Sequence, residues 1–172
     1  GKVIGHGSQA DIPVHVTEVG LPARINPFNG EEVARQVAGI LGRRHFEDSL
    51  GACIFTTRTR LENICRALSA ATGWNYTVTE SVSFGRRTAA ILRAFNLRCG
   101  IGPESEYPSK RYGSVPVDGP AKGQAVGEQW EKMVNTWYAL VGYDRKTGRP
   151  KSETLRKLGL DWLVKDLWGK KR

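Results

Sequence analysis

The sequence is short of several things, and each absence narrows what the chain can be. No uncharged apolar run approaches the roughly 18 residues that a membrane span needs. The opening stretch, GKVIGHGSQADIPVHV, has no apolar core of the kind a secretory signal requires. The 172 residues hold only three cysteines, at gaps of 12 and 34, and no CxxC pair. An odd count without that pairing argues against a disulfide framework and for a thiol-keeping cytoplasm. Three thiols also fall short of the four ligands that a cubane iron–sulfur cluster takes. There is no phosphate-binding loop of Walker spacing, no zinc-finger spacing, no internal repeat and no low-complexity tract. A single methionine, Met133, and a start at Gly1 lead us to expect a processed or excised piece.

What is present is ordinary globular material, with 40% hydrophobic and 25% charged residues, enough for one domain with a real core. The charge is strongly basic, 26 Lys and Arg against 17 Asp and Glu, for a formal net charge of +9. That balance fits anionic ligands, an acidic partner or another subunit. The basic residues are dispersed, apart from the 170–172 tail and the pairs Arg43–Arg44 and Arg86–Arg87, which argues against a nucleic-acid footprint.

Residues 1–28 read as irregular, broken by Gly5, Gly7, Pro13, Gly20, Pro22 and Pro27. From residue 29 onward helical signals repeat, and the fold class is mainly α, with about four to six helices. Asn29 with Glu32 starts the first, with Val33, Val37, Ile40 and Leu41 on one face and Gly42 expected at its end. Residues 45–57 show no helical period. Thr59 with Glu62 starts a second helix, in whose apolar stripe Cys65 reads as a small buried hydrophobe, and Gly73 closes it. Thr77 with Glu80 starts a long third helix carrying Val78, Val82, Ile91, Leu92 and Phe95 to about Leu97. A proline-rich loop, 99–122, precedes a helix whose stripe runs Val126, Trp130, Met133, Val134, Trp137, Tyr138, Val141. A turn at 144–150, a helix stopped by Gly159 and a terminal helix that Asp161 would cap complete the chain.

The segment with the most chemical character is Glu47-Asp48-Ser49-Leu50-Gly51-Ala52-Cys53. Small residues let a bulky ligand approach the backbone. Asp48 offers two acceptor oxygens in the fork geometry that paired N–H donors of a heterocycle edge demand. Cys53 offers a thiolate. Read from the residues alone, a turn cap at Asp48 and a buried Cys53 are the favoured reading.

The same segment, DSLGAC, resembles the D-x-x-G-L-C motif of the tungsten-containing aldehyde:ferredoxin oxidoreductase family. Collinear likenesses follow in ATGWNYTVTE, in GRRTAAILRAFNLRCGIGPESEYPSKRY and in NTWYALVGYD through GRPKSETLRKLGL, so that the resemblance covers about 46–160. The class also includes the tungsten subunit of class II benzoyl-CoA reductases. The resemblance implies that 29–172 is the C-terminal helical domain of a larger enzyme and that 1–28 lies near its active site. It implies a bis-pterin cofactor holding tungsten, or molybdenum, and gripped by Asp48, with Gly51 and Ala52 supplying nearby backbone. It implies a 4Fe–4S cluster with Cys53 as one metal ligand. A family histidine near the metal maps best to His6, flanked by glycines, with His15 as the other candidate. Implied partners are the upstream part of the enzyme, ferredoxin or an electron-transfer subunit, and a small-molecule substrate.

The sequence departs from the family pattern at Ala52, where Leu is usual, at Cys99, where an acidic residue is usual, and at WYALVGYD, which lacks an Arg before Gly. These departures bear on the substrate, an aldehyde or an aromatic thioester, more than on the cofactor. The chain alone is expected to be helical, to lack a complete redox site and to leave apolar surface uncovered. A basic helical module for an anionic macromolecule is the rival reading.

Overall fold

The computed structural model describes residues 25–53 and 61–169. Seven α-helices occur among the described residues, and there is no strand beyond a single bridge between Tyr143 and Pro150. The helices are α1 (Gly30–Ser49), α2 (Leu61–Thr72), α3 (Val78–Arg98), the one-turn α4 (Lys110–Gly113), α5 (Val126–Val141), α6 (Ser152–Lys157) and α7 (Asp161–Trp168). A short 3-10 turn, Pro103–Ser105, interrupts the expected loop. No helix among the described residues is long and apolar enough to cross a membrane.

Helix α1 starts where the sequence places it. The Asn29 carboxamide oxygen accepts from the Glu31 and Glu32 amides, and the Glu32 carboxylate reaches back to the Asn29 side chain and the Asn26 amide. Its end is a correction. The helix runs through Gly42 to Ser49, so 45–49 is helical and His45 is half-buried inside it rather than at a helix end. Gly42 is a crossing point, not a terminator. A Cβ on Gly85 of α3 would sit 1.6 Å from the Gly42 carbonyl oxygen, so only two glycines let the backbones meet. The cost of a mid-helix glycine, about 1 kcal/mol, is offset by that approach. Toward its N-terminus α1 leans on α5, where a Cβ on Gly30 would meet Gln129 and Met133. With neighbours on two sides, α1 buries much of its circumference, including Ala34, Ala38, Ile40, Arg43 and Phe46.

Phe46 closes the cluster that holds α2, with Leu61 and Cys65 buried beneath Ile64, Leu68, Tyr76, Val78 and Val82. Cys65 packs there as expected, its sulfur 3.1 Å from the Ser81 hydroxyl. The Thr59 cap lies outside the described residues. Gly73, at φ +76°, ends α2 in the left-handed conformation that favours glycine. Helix α3 opens on the full reciprocal capping box of Thr77 and Glu80.

The inward face of α3 is built of small residues. Ser81, Gly85, Ala89, Ala90 and Ala94 are buried, whereas Ile91, Leu92 and Phe95 point outward. The close helix crossing selects small residues and turns the large ones away.

The C-terminal region packs conventionally. Leu155, Leu160, Leu163 and Leu167 seal Ala90 and Ala94, each fully buried leucine contributing about 1.5–3 kcal/mol. On α5, Val134 and Tyr138 join Tyr143 under Trp130, Trp137 and Val141, the aromatic stripe read from the sequence. Gly142 and Gly159, at φ +73° and +67°, stop α5 and α6. Leu160, not Asp161, is the residue before α7, and Asp161 is the first residue of that helix.

Candidate cofactor site

The Asp48–Cys53 segment is the exposed end of a buried helix. Its base is the Arg43–Glu47 ion pair, one helical turn apart at 2.6 Å, with side chains 2% and 3% exposed. Burial pushes the Glu47 carboxyl above the usual carboxylate range, against the pull of the Arg43 guanidinium. A pair desolvated this far holds its shape because breaking it strands a charge. Phe46, between the two, meets the rings of Tyr76 and Phe84 at 6.2 and 6.1 Å. The last turn of α1 is thereby fixed from inside.

Past this base the chain emerges. The Leu50 amide donates to the Glu47 carbonyl and the Gly51 amide to the Asp48 carbonyl, both at 3.1 Å. Gly51 takes φ +66° with open space where a Cβ would stand. Asp48, Ser49, Leu50, Gly51 and Cys53 are exposed, and Ala52 is half-buried. The turn therefore brings the Asp48 and Cys53 positions into one exposed segment, with the least crowded backbone at the glycine between them.

Asp48 stands against two local rules. It adds negative charge to the C-terminal turn of α1, the negative end of the helix dipole, and that turn holds no basic residue. It also neighbours Glu47, whose ionisation it opposes. A carboxylate kept in such a place is suited to a ligand that donates hydrogen bonds. Cys53 is one thiolate, and among the described residues no group of three or more His, Cys, Asp and Glu side chains could hold a metal ion. The donor set fits one corner of a larger ligand sphere and the edge of a flat heterocycle. It does not amount to a whole metal site. His6 and His15 lie outside the described residues.

Two polar features went unread in the sequence. One is the Arg43–Glu47 pair. The other is a clamp around Tyr138, whose hydroxyl lies 2.9 and 2.8 Å from the Glu106 carboxylate oxygens. Arg93 donates to Glu106 at 2.5 Å, to the Tyr138 oxygen at 2.6 Å and to the Gly148 carbonyl at 2.8 Å. Burial and the Glu106 contact push the Tyr138 hydroxyl above its ordinary pKa. The clamp ties α3, the 3-10 segment, α5 and the 144–150 turn together. A buried tyrosine needs a partner for its hydroxyl, and that was the available signal.

Helices closed over a small-residue crossing, with a carboxylate and a thiol on one exposed turn, define a helical domain with a candidate ligand-binding turn. A family profile described as "Aldehyde ferredoxin oxidoreductase, domains 2 & 3" matches residues 5–160, and the chain belongs to that family. The tungsten-containing aldehyde ferredoxin oxidoreductase of Pyrococcus horikoshii is 31% identical over 148 residues, which is 83% of this chain and 24% of that protein. The protein of the same name from Pyrococcus furiosus is 34% identical over 116 residues, 66% of this chain and 19% of its own length. That from Thermococcus kodakarensis is 29% identical over 143 residues, 80% and 23% respectively. The chain thus spans about a quarter of the curated relatives it matches.

Proposed function

We propose that this chain works as the C-terminal part of a tungstopterin iron–sulfur oxidoreductase that oxidises aldehydes to carboxylates and passes the electrons through a 4Fe–4S cluster to ferredoxin. The observation that carries the reading is the exposed Asp48–Cys53 turn mounted on the buried Arg43–Glu47 base. The relatives' names supply tungsten, aldehyde and ferredoxin.

In this reading Asp48 accepts hydrogen bonds from the N–H edge of a pterin and fixes its orientation. Gly51, with no side chain, and Ala52, with a small one, let the pterin lie close to the backbone. The Cys53 thiolate supplies one cluster ligand, and the other three come from outside this chain. His6 holds or releases the proton that the reaction moves, since an imidazole changes charge near neutral pH. The bound metal centre supplies the redox chemistry, and the protein supplies orientation and a path for electrons.

The test is tungsten and iron analysis of the complete enzyme, with reduction of a viologen dye assayed on an aldehyde and, separately, oxidation of pre-reduced viologen assayed on an aromatic thioester. Aldehyde-dependent turnover with both metals bound is the expected result. Turnover on the thioester alone would move the enzyme to the benzoyl-CoA reductase side of the family. Salt-sensitive retention on nucleic acid without either metal would favour the basic binding module instead.

A further inference from the structure

Helix α3 is apolar on two sides. Its inner side is the small-residue stripe against α1 and α7. Its outer side carries Phe84, Ile91, Leu92 and Phe95, which are 43%, 39%, 47% and 63% exposed. Offsets of 0, 7, 8 and 11 put these four on one strip along the helix. Single exposed hydrophobes are normal on a soluble domain, but a strip three turns long is not.

The strip reaches the last turns of α1 through the buried Phe46. Phe84 meets Phe46 edge-on at 6.1 Å, and Phe46 stands two residues before Asp48 on α1. On its other side Phe84 lines an open hollow of about 390 Å³ together with Trp74 and Tyr76, and the Trp74 ring is also exposed.

We propose that this outer strip of α3 is the surface on which the rest of the oxidoreductase folds over the chain. The proposal rests on the reading given under Proposed function. The occupant is the large part of the relatives' polypeptide that the chain does not match, since 24% of that length is spanned here. A second copy is the weaker occupant. Each copy carries a formal net charge of +9, and Arg87 borders the strip, so two such faces repel. A different stretch of polypeptide need not carry that charge.

The experiment is maleimide labelling of Leu92→Cys, in the 172-residue chain and in the complete enzyme, with the modified peptide read by mass spectrometry. Peptide mapping separates the new thiol from Cys53, Cys65 and Cys99. Circular dichroism confirms folding, and Phe95→Cys serves as the second variant if Leu92→Cys does not fold. We expect rapid labelling in the 172-residue chain at all concentrations, and labelling slower by an order of magnitude or more in the complete enzyme, as for a site reached only through opening. Equal labelling in both would overturn the proposal. So would protection in the 172-residue chain that grows with concentration, which would assign the strip to a second copy. Protection there that is lost on deleting residues 1–24 would overturn it too, in favour of the chain's own N-terminal segment. Metal analysis of the same complete enzyme is independent, so a wrong cofactor reading and a wrong surface are told apart.

Discussion

The C-terminal region, α5 to α7, and the α1–α3 crossing solve the same packing problem in opposite ways. In the first, large leucines and aromatics fill the core, glycines stop the helices, and the buried Tyr138 hydroxyl has partners. In the second, glycine meets glycine, an ion pair is buried, a carboxylate sits at the wrong end of a helix and large apolar residues face outward. Where most local choices agree, the residues serve stability. Where choices conflict, an unmet demand such as a ligand or a further domain is the economical cause.

The largest expected effect tests the crossing itself. Gly85→Ala forces the α1 and α3 backbones apart and should cost about 3 kcal/mol or more, read as a lowered urea midpoint. Gly73→Ala, strained in φ but surrounded by open space, should cost only about 1 kcal/mol. Equal losses at the two sites would mean that the close contact does not matter. On the other side of the comparison, Arg93→Ala removes three donors from the clamp and should cost about 2 kcal/mol. A double-mutant cycle with Glu106→Gln should show coupling, whereas additive losses would deny that the clamp acts as a unit.

Tyr143 sharpens the comparison through pH. Burial pushes its hydroxyl from 10.0 up to about 12. The folded state therefore resists ionisation that the unfolded state accepts. The stability it contributes is intact below pH 10 and is lost as pH rises toward about 12. Alkaline denaturation should show a loss of about 2 kcal/mol over that window, and Tyr143→Phe should reduce it. Tyr138 shifts in the same direction and leaves part of the slope behind.

The smallest change in stability carries a large functional contrast. Asp48→Asn relieves a charge at the negative end of α1, so the chain should gain about 0.5 kcal/mol. In the complete enzyme the same variant should hold its pterin roughly tenfold to a hundredfold less tightly, the worth of a charge-assisted pair. Loss of stability with normal pterin content would make Asp48 a structural residue.

Much of the fold could be read from the sequence because its signals are local. The Thr77–Glu80 box, the α5 stripe and the glycine stops at 73 and 159 each act within a few residues of themselves. Gly42 misled for the opposite reason. A glycine after an apolar run looks like a helix end unless its partner, Gly85, is already known to lie against it. The outward turn of Ile91, Leu92 and Phe95 followed from the same long-range contact. At the candidate site, the motif located Asp48 and Cys53, but not the buried Arg43–Glu47 base. A charged pair inside a helix reads as solvent-facing until burial is seen.

The central claim is that the turn after α1 presents Cys53 to an iron–sulfur cluster. The most direct measurement is the iron content of the complete enzyme, purified without oxygen, as Cys53→Ala, Cys65→Ala and Cys99→Ala. The account predicts that Cys53→Ala loses iron and the cluster's visible absorption. It predicts that Cys65→Ala, a core substitution beside Ser81, and Cys99→Ala, at the exposed end of α3, keep both. Full iron content in Cys53→Ala would contradict it.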